Sequence, residues 1–182
     1  MTEHLTSEPG HAVVVMGVAG CGKSTIGSLL AARWGVRFID ADDLHPPSNV
    51  AKMTAGIPLD DVDRLPWLRR VGTVLAEETV LERDVVVACS ALRRTYRDEL
   101  RRSAGHELAF VHLDADRDLL IDRIAGRSDY FLPPALLDSQ LAVLEPLDTD
   151  ETGVTIDVAE PPDLVVERTA TWRRARSTAS PR

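Results

Sequence analysis

Short apolar runs alternate with amphipathic stretches along the whole chain. Residues 12–16, 36–39, 84–89, 108–113 and 154–158 have the length and β-branched content of strands. Between them the period lengthens to that of helices. Such patterns span residues 25–32, 63–82, 92–102, 116–127, 135–144 and 163–174, with a shorter one at 49–53 after the break at His45-Pro46-Pro47. The 63–82 segment presents Leu65, Leu68, Val71, Val74 and Leu75 on one face, and Pro66 fits its first turn, where no N–H is missed. Leu119, Leu120 and Ile124 form the inward stripe of the 116–127 helix. Gly35 is placed to cap the first helix. The third run, Val85-Val86-Val87-Ala88-Cys89, is apolar throughout, which predicts a central strand buried on both faces. His112 interrupts the fourth run and reads as a solvent-facing or core histidine rather than a catalytic one.

Strand–helix alternation of this kind predicts an α/β fold: a parallel five-stranded sheet with helices on both faces. The expected organisation is one domain over residues 11–174, a flexible N-terminus at 1–10 and a flexible tail at 175–182. No repeat, linker or low-complexity segment interrupts it. At 182 residues the chain can bury a substantial core.

Charge narrows the function. Twenty-one basic against 29 acidic residues give a net charge of −8, which disfavours nucleic acid as the main partner. No apolar run approaches the roughly 18 residues of a membrane span, and the first ten residues hold no apolar signal core. A cytoplasmic location is expected, with no membrane partner. Cys21 and Cys89 are too few for a disulfide scaffold and lack zinc-site spacing.

Chemistry concentrates first at Gly17-Val18-Ala19-Gly20-Cys21-Gly22-Lys23-Ser24, which fits G-x-x-x-x-G-K-[ST] between a strand and a helix. In such a phosphate loop the backbone N–H groups turn inward on phosphate oxygens and Lys23 reaches the β- and γ-phosphates. The Ser24 hydroxyl is placed to ligate Mg²⁺, and the helix opening at Thr25 adds its positive end. ATP with Mg²⁺ is the expected ligand. Cys21 precedes a helix N-terminus beside Lys23, two features that stabilise a thiolate and predict an oxidant-sensitive thiol. The third strand carries no acid at its end. Acids stand instead at the tip of the second, in Asp40-Ala41-Asp42-Asp43. Carboxylates there can serve the Mg²⁺ water shell (Asp40) and an acceptor hydroxyl (Asp42), or can merely cap a turn and face solvent.

Two longer patterns are more specific. His45-Pro46-x-x-Asn49-x-x-Lys52-Met53-x-x-Gly56-x-Pro58-Leu59-x-Asp61-x-Asp63-Arg64-x-Pro66-Trp67-Leu68 is followed by Cys89-Ser90-Ala91-Leu92-Arg93-x-x-Tyr96-Arg97-Asp98. With Ser139-Gln140 and Leu144-Glu145-Pro146, these residues make the chain resemble the small P-loop gluconokinases over about residues 13–157. The resemblance implies the shikimate-kinase-like branch of the nucleoside monophosphate kinase fold. It also implies transfer of the γ-phosphoryl of ATP to the 6-hydroxyl of D-gluconate, and homodimerisation. Three positions depart from the family: Ala41 within Asp40-Ala41-Asp42, Cys21 in the phosphate loop, and Tyr130-Phe131 where a His-Phe pair is usual.

Gluconate is a polyol with a carboxylate, so its pocket needs fixed cations and short hydrogen-bonding groups. Arg64, Arg93 and Arg97 are candidates for the carboxylate, and Asp42, His45, Lys52 and Ser90 for hydroxyls. Arg97 could equally be solvated on an exposed helix face, and Arg64 could pair locally with Asp61 or Asp63. Trp67 reads as core packing. Arg123 and Arg127 open a segment, about residues 123–134, that in kinases of this architecture is a mobile lid whose arginines neutralise transition-state charge; the alternative is an exposed helix surface. A kinase of shikimate or of another sugar acid, and a nucleotide-dependent sensor, are the rival functions.

Overall fold

The five runs form a single sheet because the inner three are buried on both faces and have to be covered twice, while the outer two keep exposed residues at its edges. A computed structural model of the protein describes residues 11–126 and 134–179. The expected flexible N-terminus lies outside the described residues, as do 127–133 of the expected lid and the last three residues. The elements are β1 (Ala12–Met16), α1 (Lys23–Trp34), β2 (Arg37–Asp40), α2 (Pro47–Thr54), α3 (Asp61–Val80), β3 (Val85–Ala88), α4 (Arg94–Ala104), β4 (Ala109–Asp114), α5 (Arg117–Ala125), α6 (Pro134–Val143), β5 (Gly153–Asp157) and α7 (Pro162–Ala179). One turn of 3-10 helix, Ala41–Leu44, links β2 to α2.

Strand order is β2-β3-β1-β4-β5, and every pairing is parallel. Alternate residues serve two cores. Val13, Val15, Val86, Val111 and Leu113 pack with Ile26, Leu30, Leu120, Leu137 and Val165 from the helices of one face. Ala12, Val14, Met16, Val85, Val87 and Phe110 pack with Trp67, Leu68, Val71, Leu75 and Leu100 from the other. Both β1 and β3 are therefore buried along their whole length, as the uninterrupted apolar sequence of the third run predicts. His112 is buried in the core, with Nδ1 3.5 Å from the Thr155 hydroxyl, and burial lowers its pKa. It is a core histidine.

Several boundaries differ from the sequence pattern for identifiable reasons. Asp60 accepts from the Asp63 backbone N–H while Asp63 accepts from that of Asp60, a capping box that starts α3 at Asp61. Pro66 therefore lies in the second turn, not the first. The carbonyl it leaves without a helical donor is that of Val62, a residue 80% exposed, where water can take the donor's place. The last helix runs from Pro162 to Ala179, past the 163–174 stretch that the pattern marks. Gly35 caps α1 in the left-handed conformation (φ 68°), as expected.

Arg97 is the main correction to the expected pocket. Instead of facing solvent or substrate it is wholly buried, with Nε and Nη2 on the two carboxylate oxygens of Glu151 at 2.8 and 2.7 Å. Its other hydrogens go to the carbonyls of Ala91, Glu145 and Pro146. Every guanidinium donor is thereby committed to protein acceptors. Arg101 adds a second bond to Glu151 at 2.7 Å, and Arg94 holds Asp148 and Asp150 from outside. The segment from Glu145 to Glu151, which leads into β5, is thus laced to α4.

These bonds hold the Glu151 carboxyl down at about 2 against the opposing pull of burial. A depressed folded-state pKa stabilises the protein above the unfolded value near 4.3 and loses that contribution as pH falls toward the folded one. Glu151→Gln, which strands two buried or half-buried guanidinium groups, should cost about 3–5 kcal/mol in urea unfolding at pH 7. Its difference from wild type should shrink as the pH is lowered from about 5 to 2.

Candidate active site

The phosphate loop lies where β1 meets α1, and its own apolar residues fix it. Val18 and Cys21 are buried in the core, while Ala19 and Gly20 between them are half-buried. Gly17 has φ 142°, and a Cβ there would fall 2.8 Å from both the Cys21 sulfur and the Leu113 carbonyl oxygen, so the position accepts only glycine. Its N–H donates to the Ser90 carbonyl at 3.3 Å, joining the loop to the end of β3. Gly22 caps α1 in a left-handed conformation, and no acidic side chain stands in that helix's first turn. The positive helix end is left to an anion. Lys23 bends back over the loop and donates to the Val18 carbonyl at 3.0 Å.

Parallel register brings the acids to the same edge. Asp40 pairs with Ala88, which pairs in turn with Val15, so the ends of β2, β3 and β1 lie side by side. Ser24 Oγ donates to Asp40 Oδ2 at 2.6 Å. The other Asp40 oxygen accepts from the Asp42 backbone N–H at 3.1 Å, which caps the 3-10 turn and turns Asp42 into the cleft. Asp40 caps the turn, while Asp42 remains open with its side chain 73% exposed. The Asp42 carboxyl is pushed up by loss of hydration within the cleft and by Asp40 and Asp43, against the pull of Lys23.

Beyond Asp42 the acceptor wall begins. His45 Nε2 lies 3.9 Å from Asp42 Oδ1, and the ring stacks on Trp67 with centroids 4.0 Å apart. Trp67 is core, as expected: it is buried and donates to the Ala41 carbonyl at 2.7 Å. Burial and the nearby charge of Arg64 lower the His45 pKa to about 4, so the ring is neutral at pH 7. Lys52 grips both oxygens of Asp63 at 2.7 Å, supporting the α3 cap. Arg64 does not pair with Asp61 or Asp63; its Nε donates to the Leu59 carbonyl at 3.1 Å. Asp61 is instead shared by Arg93, at 3.3 Å, and the Tyr96 hydroxyl. The guanidinium carbons of Arg64 and Arg93 lie 5.8 and 5.6 Å from the Tyr96 ring centroid. Burial and Asp61 push that phenol up to about 12. Two cations therefore gather round one aromatic ring and one carboxylate, leaving a net positive charge there. Ser90, half-buried after β3, enters through its carbonyl bond to Gly17.

Arg123 is in the last turn of α5, where it donates to the Val158 carbonyl at 2.6 Å. It lines a cleft of about 250 Å³ on the opposite side of the loop from the acceptor wall, with Gly20, Thr25, Val158, Pro162 and Val165. Arg127 and Tyr130-Phe131 lie outside the described residues. Among the described residues no group of three or more His, Cys, Asp or Glu could hold a metal. Ser24 Oγ and Asp40, joined by their hydrogen bond, are an oxygen pair that could hold a hard cation with phosphate and water as its other ligands.

Three contributors were not singled out by sequence reasoning. Gln140 Oε1 accepts from the Ala19 N–H at 2.7 Å, tying α6 to the crown of the phosphate loop. Asn49 is buried against His45, and Tyr96 organises the arginines. All three stand within the quoted motifs, which was their only signal.

A phosphate loop on the central strand β1, an acid pair at the end of β2 beyond β3, and a cationic wall past them define a P-loop kinase of small molecules. The chain matches the shikimate kinase family over residues 19–155. It is 44% identical to a gluconokinase from Gluconobacter oxydans over 92% of this chain and 94% of that one. A sugar kinase from Janibacter sp. HTCC2649 superposes with a TM-score of 0.87 at 41% identity, covering 96% of this chain and all of that one. A gluconokinase from Sinorhizobium meliloti 1021 gives 0.82 at 44%, covering 94% and 95%. The chain belongs to the gluconokinase branch of the shikimate kinase family.

Cys21 departs from expectation. It is 1% exposed, and burial raises its pKa more than Lys23 and Arg123 lower it. The native thiol should react with a disulfide reagent far more slowly than in urea, and peroxide should inhibit wild type and Cys21→Ser alike. Rapid loss of activity in wild type alone would restore the reactive thiol.

Proposed function

We propose that the protein transfers the γ-phosphoryl group of ATP to the 6-hydroxyl of D-gluconate, giving 6-phospho-D-gluconate and ADP. One observation supports this reading: Lys23, Asp42, His45 and the arginine pair follow one another from the phosphate loop to Tyr96. Lys23 acts on Asp42 through space, His45 stands 3.9 Å from Asp42, Arg64 acts on His45, and Arg64 and Arg93 converge on Tyr96. A polyol with a terminal carboxylate matches that order, with the hydroxyl at Asp42 and the carboxylate at the arginines.

The loop N–H groups and Lys23 take the β- and γ-phosphates. Mg²⁺, when bound, supplies charge neutralisation to those phosphates; Ser24 and Asp40 are the residues that would hold it and its water shell. Asp42 orients the acceptor hydroxyl and receives its proton as the new O–P bond forms and the bond to ADP breaks. Arg64 and Arg93 hold the carboxylate. Lys52 supports this wall through Asp63, and Ser90 stands beside the transferred group. Arg97 has no part in it, being committed to Glu151. The cleft beside Arg123 suits adenine, because a planar guanidinium offers a stacking face and the facing lining includes Pro162 and Val165. Arg123 is thereby assigned to the nucleotide, while Arg127 keeps the lid role that the resemblance implies.

ADP release should depend on D-gluconate and fall sharply with shikimate or other sugar acids. Equal rates with and without any acceptor would favour a nucleotide-binding module. Lys23→Met should lose transfer with the fold intact. Asp42→Asn should keep ATP binding and lose roughly 10²–10⁴-fold in single-turnover phosphorylation. Asp40→Asn should instead change the Mg²⁺ dependence.

Arg123→Ala should raise the KM for ATP with little change in kcat, which separates a nucleotide contact from transition-state stabilisation. A fall in kcat at unchanged KM would return Arg123 to the lid.

A further inference from the structure

We infer that Asn49 is a positioning residue that locks His45 in the tautomer with its proton on Nε2, so that this N–H and the Asp42 carboxylate together recognise the acceptor hydroxyl in one orientation. The inference rests on the assignment of Asp42 to that hydroxyl.

The argument begins with the amide. Asn49 is 1% exposed, and its Nδ2 lies 3.0 Å from the Asp63 backbone carbonyl. A carbonyl only accepts, so the atom facing it is the NH₂ and the amide is not reversed. The same Nδ2 lies 3.2 Å from His45 Nδ1. An NH₂ group has two hydrogens to give and accepts none, so His45 Nδ1 has to be the acceptor. In a neutral imidazole the proton then resides on Nε2. The ring is neutral because it is packed face to face on Trp67 and feels Arg64, which together bring its pKa to about 4.

A half-turn of the ring would keep its stack on Trp67 but would set a C–H where Nδ1 meets the Asn49 amide, so the bond to Asn49 fixes Nε2 toward Asp42. Nε2 and Asp42 Oδ1 are 3.9 Å apart, too far for a good hydrogen bond to each other. A hydroxyl oxygen about 2.8 Å from both closes a triangle on that separation. It donates its hydrogen to Asp42 and accepts the hydrogen from His45. One lone pair is left, and that is the one available to the γ-phosphorus. A donor and an acceptor side by side thus fix the hydroxyl's rotation as well as its place. The opposite tautomer would set a lone pair of Nε2 beside a carboxylate oxygen, and no hydroxyl could satisfy both.

Ring ¹⁵N spectra of the full chain at pH 7 test this directly, with the His45 signals assigned by their loss in His45→Gln. Wild type should show a protonated Nε2 and an unprotonated Nδ1. In Asn49→Asp a carboxylate faces Nδ1, so the proton should move to Nδ1, and kcat/KM for D-gluconate should fall roughly 10²-fold. The KM for ATP should stay at the wild-type value. A wild-type ring protonated on Nδ1 overturns the inference without any variant, which covers the case in which Asn49→Asp does not fold. Asn49→Asp with an inverted tautomer and undiminished gluconate turnover overturns the positioning role. Normal turnover of Asp42→Asn would remove the underlying assignment instead, leaving the measured tautomer standing.

Discussion

Burial of β1 and β3 on both faces is the constraint on which the site depends. Strands covered twice can present polar chemistry only at their ends, and parallel pairing puts like ends together. The register then does the positioning. With Asp40 beside Ala88 and Ala88 beside Val15, a carboxylate from β2 comes within 2.6 Å of the first hydroxyl of α1. The phosphate loop is tied at both of its shoulders, to Ser90 through Gly17 and to Gln140 through Ala19. The loop's backbone conformation is therefore set by the scaffold, not by a ligand, which is how a site can stabilise developing charge without reorganising.

Charge along the cleft is ordered as well. Lys23 and the α1 N-terminus favour anions at one end, and Arg64 with Arg93 does so at the other. Between them stand Asp40, Asp42 and Asp43; loss of hydration, and then the charges of Asp40 and Asp43, raise the Asp42 carboxyl above its ordinary value against the pull of Lys23. A cationic histidine here would undo that by pairing with Asp42. Trp67 prevents it, since stacking buries the ring and holds it neutral. Trp67 is thus core packing with a consequence for the chemistry.

The sheet and the phosphate loop were legible because both are written locally: five apolar runs, and eight consecutive residues that fit one motif. The Asp40–Asp42 site was legible for a related reason, since it needs only the end of one strand. Arg97 was not. On α4 it has the spacing of a solvent-facing arginine, and the carboxylate that buries it stands 54 residues away in a loop. Cys21 misled in the opposite sense, because sequence showed the cation beside it but not the core around it. Pro66 was displaced by a cap whose two aspartates, Asp60 and Asp63, were read as loop and helix start. Arg123 could be placed on its helix, but the cleft it lines is completed by Val158 and Pro162, more than thirty residues on. In each case the missing information was a partner distant in sequence.

Such a site has to reject water, which is smaller than any acceptor and carries the same hydroxyl. A donor and acceptor pair at His45 and Asp42 does not distinguish the two, because water satisfies both groups equally well. In the proposed reaction discrimination comes from the far end, where Arg64 and Arg93 would offer charge-assisted hydrogen bonds worth about 1.5–3 kcal/mol each. Two such bonds amount to roughly 3–6 kcal/mol, or about 10²–10⁴-fold, provided they are made only when the acceptor spans the cleft. Asp61 is essential to that sum. By neutralising one of the two arginines and holding Tyr96 between them, it leaves a single uncompensated positive charge. One carboxylate satisfies that charge, whereas a neutral polyol of the same length leaves it unpaired.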